Sequence, residues 1–394
     1  MLEDFDQFME DAGIDAFVCE GNAFEVSDIV WLTGFRSTDS VTYFKNIHDK
    51  GIVATGFKTY DRVQKESFIK EFHDLTPIYK DLIREKKRAY ENPDVIYEDI
   101  LKTHFTGSII GVPDHLPARV LVAIQQLGYD VKVVPKLLKK ARATKSPSEI
   151  DIIKKAGKST TSAIGRIVEM IKDSTIGTNN SLVVDGEPLT VGRVKLALEH
   201  YLLDQGAESA EDAIVAVGAK AFDWHYLGKP EDVLKAHVPI IIDVFPRLKY
   251  ERYVADVTRT IVKGSVSEPV QKMFDAVYDA LVSSIDSLSD GAKIDDVNMA
   301  CFETLKRHGY DSSRLNIDAV DGMTHGLGHG IGLDVHEEPS MYRYEDYFTK
   351  GNVMAIEPGV YLKGVGGVRI ENDYAVSSSG AERLTVDLED IIHV

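Results

Sequence analysis

The most chemically loaded stretch of this 394-residue chain is Thr324-His325-Gly326-Leu327-Gly328-His329-Gly330-Ile331-Gly332-Leu333-Asp334-Val335-His336-Glu337, which places three of the 12 histidines within 14 residues. His325 and His329 are four apart, as in a helical zinc motif, but the alternating glycines make a helix costly, at about 1 kcal/mol each. The general-base glutamate of His-Glu-x-x-His is also missing, because position 326 is glycine. A dinucleotide fingerprint fails too, since Leu333 stands where the third glycine after Gly328-x-Gly330 would fall. Taken alone, the run is either a histidine-bearing site or a flexible glycine loop with incidental histidines.

Acids elsewhere change the balance. Residues 238–245 and 253–262 are β-rich and read as an antiparallel hairpin, on which Asp243 and Asp256 could face one cleft. By themselves they could equally be turn or capping acids. A second hairpin is expected over 354–362 and 368–371, joined by the glycine-rich turn 364–367. It carries Glu357 in Ala355-Ile356-Glu357-Pro358-Gly359, while Arg369 and Glu371 share a face. Glutamate inside an apolar strand is rarely buried unless it is paired or bound to a metal. Four clustered carboxylates would raise one another's pKa values, and two divalent cations would cancel their charge. Oxygen-dominated ligation with one imidazole suits Mn²⁺, Co²⁺ or Fe²⁺, with Zn²⁺ possible. Two such ions about 3.5–4 Å apart share a water, bring its pKa toward neutrality and polarise the carbonyl it attacks, which is hydrolytic chemistry.

The elements that must position these groups follow an α/β rhythm in the first third of the chain. Leu2, Phe5, Phe8 and Met9 have helical spacing closed by Gly13, and strands are expected over 16–19, 52–55, 109–112 and 131–134, with a helix over 119–127. The charged stretch 65–102 reads as a solvated helical surface. A boundary falls near 142–145, where Ser146-Pro147-Ser148-Glu149 supplies an N-cap serine, a proline in the first turn and a capping-box glutamate. Further helices are expected over 191–205, 270–288 and 295–308, each closed by a nearby glycine.

Composition narrows the classes. The net charge of −18 repels nucleic-acid phosphates and anionic lipid, so neither is an expected partner. The only cysteines, Cys19 and Cys301, lie in separate halves and form no disulfide framework. No apolar stretch approaches the roughly 20 residues of a membrane span, and the acidic start does not read as an export signal. A cytoplasmic setting is the expectation.

Taken together, these residues resemble the proline-specific branch of the metallopeptidases that share a fold with methionine aminopeptidase: prolidase and Xaa-Pro aminopeptidase, of peptidase family M24. Asp243, Asp256-Val257-Thr258-Arg259-Thr260, Gly328-His329-Gly330-Ile331-Gly332, Val335-His336-Glu337, Ile356-Glu357-Pro358-Gly359 and Arg369-Ile370-Glu371 occur in the family's order. The match is strong over 146–394. It is weaker before residue 140, where Asp15-Ala16 and Trp31-Leu32-Thr33-Gly34-Phe35 carry it.

The resemblance implies an α+β two-domain protein: an α/β creatinase-type domain over 1–141, then a pita-bread catalytic domain over 142–394, a curved antiparallel sheet backed by helices. It implies that Asp243, Asp256, His329, Glu357 and Glu371 bind two divalent ions, Mn²⁺ or Co²⁺ before Zn²⁺ or Fe²⁺, with Asp256 and Glu371 bridging. It makes Glu357 the proton shuttle beside the bridging hydroxide, and His225, His325 and His336 the histidines that steady the scissile carbonyl, the substrate and the tetrahedral intermediate. Read alone, His225 could as well be an exposed or capping histidine. Arg369, where methionine aminopeptidases usually carry glutamine, should offset the acids or meet a carboxylate. The expected substrate is a short peptide with proline second, and the expected assembly a homodimer.

The competing readings are a peptide-binding pseudoenzyme of the same fold, another aminopeptidase specificity, and a metal-free hydrolase of the creatinase kind. One departure stands out. Phe245 occupies the place where the family usually has glycine, and the 13-residue step from Asp243 to Asp256 is two longer than usual, so the connection over 246–252 must be longer.

Overall fold

The computed structural model describes residues 4–394, so Leu2 of the expected first helical stripe lies outside the described residues. The chain folds as two compact units, one ending at Arg142 and one spanning Ala143–Val394.

The first unit is built on a six-stranded sheet in the order Glu71–Asp74, Ile52–Thr55, Val41–Asn46, Ala16–Gly21, Ile109–Val112, Asp130–Val133. The sheet is mixed: Ala16–Gly21 runs antiparallel to Val41–Asn46 and parallel to Ile109–Val112. Helices Pro93–His104 and Ala118–Gln126 bury Ile100, Val120 and Ile124 with Val18, Phe44 and Ile110 of the sheet. Each such side chain contributes about 1.5–3 kcal/mol on burial. Helix Phe5–Ala12 stops at Gly13, whose φ of 60° is a left-handed conformation that a β-carbon would strain. The expectation of a solvated helical surface over 65–102 needs correction. Strand Glu71–Asp74 lies within it as the sheet edge, where charged residues discourage pairing with another chain, and Ile96, Tyr97, Ile100 and Leu101 are buried.

In the second unit Ser146 caps helix Pro147–Asp173 by accepting from Glu149 N, and the Glu149 carboxylate returns to Ser146 N at 2.8 Å. This helix and Val191–Asp204 back a four-stranded sheet in the order Ile214–Val217, Ile240–Val244, Val257–Val262, Ile392–His393. Ile164, Ile167, Leu198 and Leu202 pack with Ile240, Ile242 and Ile261. Because strand side chains alternate, Ile241 and Asp243 take the opposite face.

A second pair of helices, Glu268–Ser287 and Ile294–Arg307, packs Phe274, Leu281 and Leu305 with Met354, Ile356 and Val368. These come from a five-stranded sheet, ordered Glu337–Ser340, Gly328–Gly330, Val353–Ile356, Asn372–Ser377, Gly380–Arg383, and from the hairpin Gly359–Leu362/Gly366–Arg369. The expected single run over 354–362 is therefore two strands in different sheets. Pro358 has no N–H to give to a ladder, and the chain changes sheets around it. Glu357 sits at that crossing, and Glu371 at the return crossing before Asn372–Ser377. The connection from Asp243 to Asp256 is not all loop, since Pro246–Leu248 pairs with Ala207–Ser209. Among the described residues no helix is long and apolar enough to cross a membrane.

Candidate active site

All nine residues singled out by the sequence line one cavity of about 340 Å³ in the second unit. Asp243 is placed by its ladder with Thr258, and Asp256 by its own backbone N–H, which Asp373 Oδ2 accepts at 3.0 Å. Glu371 is fixed twice by one residue: its N–H bonds Thr258 O at 3.1 Å, and its Oε2 accepts from Thr258 Oγ1 at 2.6 Å. Glu357 N–H bonds Leu327 O, which ties the crossing to the glycine-rich strand. That strand, Gly328–Gly330, sets His329 opposite Ala355. A β-carbon on Gly328 would meet Ala355 O at 1.9 Å, so glycine is required there for the backbones to approach. The run is thus built around a three-residue strand that carries His329, with His325 and His336 in the bends on either side.

Asp256, His329 and Glu371 each offer a ligand atom within 4.8 Å of the others. Asp243 and Glu357 line the same cavity but lie outside that tight group. Asp243 Oδ1 and Asp256 Oδ1 are buried without a hydrogen-bond partner, a costly state for a carboxylate oxygen and one that a cation would relieve. His329 Nδ1 faces Gly330 O at 3.1 Å, leaving Nε2 directed at Asp256 Oδ2, 3.7 Å away. This is the tautomer that a metal-ligating imidazole needs. The donor set therefore fits divalent cations.

The electrostatics agree. Burial first, and then Glu371 and Asp243, hold the Asp256 carboxyl well above the usual range. Burial and then Glu357 do the same to Glu371. Burial raises Glu357 to about 7 despite the opposing pull of Arg369. His329 is lowered to about 4 by burial and the neighbouring His336, whose ring centroid is 4.2 Å away.

Arg369 meets a carboxylate, as expected: its Nη2 bonds Asp243 Oδ2 at 2.6 Å. Its other bonds run to Thr258 Oγ1, Tyr361 OH and Trp224 O, so one of the five guanidinium N–H groups is left for anything else. His325 is committed as well. Nδ1 bonds Gly326 O at 2.7 Å and Nε2 bonds Tyr361 OH at 3.0 Å, and burial followed by Arg369 lowers its pKa to about 3. The rings of His225 and His336 make no hydrogen bond among the described residues and remain at the cavity surface. The Trp224 ring centroid lies 3.7 Å from that of His225 and 5.2 Å from that of His325, the rings tilted by 54° and 46°, forming an aromatic wall.

Sequence reasoning missed four contributors. Asp373 holds Asp256, Tyr361 joins His325 to Arg369, and Trp224 forms the wall. Lys145 makes a buried 3.0 Å ion pair with Glu337, whose Oε1 accepts Leu333 N and Asp334 N and so shapes the turn before His336. The alternation Glu371-Asn372-Asp373 was the one available signal for Asp373.

The model of metallopeptidase family M24 matches residues 151–378. A Xaa-Pro dipeptidase of Pyrococcus furiosus is 30% identical over 258 residues, 65% of this chain and 67% of that protein. Among solved structures, an Xaa-Pro dipeptidase from Bacillus anthracis aligns with a TM-score of 0.81 at 22% identity, covering 100% of this chain and 99% of that one. An X-Pro aminopeptidase from Thermotoga maritima aligns at 0.77 and 23% identity, covering 98% of this chain and 100% of that one. The fold is thus the two-domain pita-bread architecture that the resemblance led one to expect. With the matched segment containing every one of the cavity's acids and histidines discussed above, the chain belongs to metallopeptidase family M24.

Proposed function

We propose that this metallopeptidase hydrolyses the bond between a first residue and a following proline in short peptides. Two divalent ions, manganese or cobalt before zinc or iron, would be held by Asp243, Asp256, His329, Glu357 and Glu371. The observation that carries the reading is the convergence of these five side chains on one cavity, two of them with buried unpartnered oxygens. The aromatic wall of Trp224, His225 and His325 suits the flat face of a proline ring, and the relatives named for Xaa-Pro bonds support the same substrate. A cavity near the small end of the roughly 300–1,000 Å³ that ligand pockets span favours a dipeptide over a long chain.

Bound there, the ions would neutralise the carboxylates and supply the Lewis acidity that acidifies water and polarises a carbonyl. The residues do the rest. Glu357, at the cavity surface, takes a proton from the attacking water at a carboxylate oxygen and returns it to the prolyl nitrogen as the C–N bond breaks. His225 and His336, with free ring nitrogens, donate to the carbonyl oxygen as its negative charge grows, a contribution of several kcal/mol in comparable sites. Arg369 orients Asp243, and His325 braces Arg369 through Tyr361. The test is exhaustive chelation followed by readdition of Mn²⁺ or Co²⁺, assayed on Ala-Pro and Ala-Ala. Ala-Pro hydrolysis should vanish and return while Ala-Ala stays slow throughout. Hydrolysis that survives chelation, or Ala-Ala cleaved as fast, overturns the reading.

A further inference from the structure

The cavity has two chemically different ends. Strand register fixes them: Ile214 lies opposite Asp243, so Asp212 falls two residues along, on the side of Phe245. Glu211, Asp212, Ile214 and Phe245 line that end. In the other direction Ile241 and Ala216 join a cluster with Tyr361 and Trp224, next to the imidazoles and the Arg369 guanidinium. A dipeptide is a zwitterion. Its ammonium belongs at the end with Glu211 and Asp212, and its prolyl carboxylate at the end with imidazole and guanidinium. The side chain of the first residue is therefore delivered to Phe245.

The backbone that carries Phe245 is pinned on its C-terminal side. Pro246 restricts Phe245 to extended backbone, which puts its side chain on the Asp243 face. Its carbonyl accepts Ala210 N at 3.2 Å, and the next carbonyl, of Pro246, accepts Ala255 N at 3.3 Å. One step beyond the last ladder pair, Val244 with Val257, come Phe245 on one strand and Asp256 on the other. The ring thus stands beside the cavity's acid cluster, with the two peptides that follow it pinned.

We propose that Phe245 determines specificity by sizing the pocket for the first residue: slender side chains pass along the ring, and branched or aromatic ones collide with it. The inference rests on the Xaa-Pro reading for its orientation. Its test is a ratio, so that any general loss of activity cancels. The values of kcat/KM for Ala-Pro, Leu-Pro and Phe-Pro are compared in the metal-loaded wild type, Phe245→Ala and the milder Phe245→Leu, each checked by near-ultraviolet circular dichroism.

Wild type should favour Ala-Pro over Phe-Pro by at least about tenfold, the scale on which pockets discriminate by size. Phe245→Ala should shrink or invert that ratio by about tenfold or more, with Phe245→Leu between. An unchanged ratio in a folded variant, or a wild type that cleaves Phe-Pro as well as Ala-Pro, overturns the role of Phe245. Should the enzyme prefer Xaa-Ala to Xaa-Pro, the proline reading alone falls, and the same ratio measured on Ala-Ala and Phe-Ala still decides the pocket.

Discussion

Individual side chains carry opposed titration costs that the metal must reconcile. Glu357 is raised by burial from an ordinary 4.5 to about 7, so the fold favours its protonated form, and that stabilisation is complete below 4.5 and lost as pH rises through 7. Asp256 and Glu371, raised by burial and by neighbouring carboxylates, act in the same direction. His329 is lowered by burial from 6.5 to about 4, so its contribution is present above 6.5 and lost as pH falls toward 4. The metal-free protein should therefore be most stable in mildly acid solution and lose Tm from pH 5.5 to 8. Mn²⁺ should restore the alkaline side, because the ions favour the charged carboxylates. Thermal melts across that range with chelator and with metal decide it, and a flat chelated curve would contradict the buried cluster. Glu357→Gln would remove the proposed proton carrier while keeping the shape. The loss in kcat should be about 10²–10⁴-fold, with the metal-free Tm equal to or above that of wild type.

At the scale of elements, the turn that presents His336 is shaped by one buried pair. Lys145 is 2% exposed and Glu337 6% exposed, and Glu337 also accepts the N–H groups of Leu333 and Asp334. Removing one partner of a buried pair strands the other charge, at a cost of about 3–5 kcal/mol. Lys145→Met should therefore lower the Tm by several degrees and reduce kcat. Adding Glu337→Gln should recover part of the stability, giving a coupling of about 1 kcal/mol or more in a double-variant cycle. Sequence showed the elements whose rules are local. Ser146 and Glu149 announce a helix start because a capping box spans only four residues, and Asp243 and Asp256 declare their shared face through strand alternation. What it hid was non-local. Pro358 divides a run that reads as one strand, because the partners that recruit the two pieces lie in different sheets. Asp373 acts on Asp256 across 117 residues, which no spacing rule reaches. Strand Glu71–Asp74 carries three charged or imidazole-bearing side chains because it is an edge, and edge residues lack the apolar alternation that marks a buried strand.

For the molecule as a whole, the charge of −18 sets a field that every substrate must cross. Two divalent ions would leave it strongly negative, and Glu211 and Asp212 line the cavity at the end assigned to the first residue. Asp212 is tied to Lys195 at 2.7 Å, whereas Glu211 makes no ion pair among the described residues. A dipeptide such as Ala-Pro is neutral overall, Lys-Pro carries a net positive charge and Asp-Pro a net negative one. Field lines focused by a low-dielectric cleft concentrate the cation and deplete the anion. Lysine is also slender and unbranched, so the Phe245 ring does not oppose what the field favours. The screening length falls from about 30 Å at 0.01 M salt to about 8 Å at 0.15 M, which removes the long-range part and leaves only contacts near the rim. Across that range kcat/KM for Lys-Pro should fall several-fold and that for Asp-Pro should rise, while Ala-Pro stays within about twofold. Glu211→Gln should flatten the residual preference for Lys-Pro that persists at high salt. A parallel decline for Lys-Pro and Asp-Pro would instead mean that salt acts on metal occupancy, and it would remove the field of the whole molecule from the account of substrate choice.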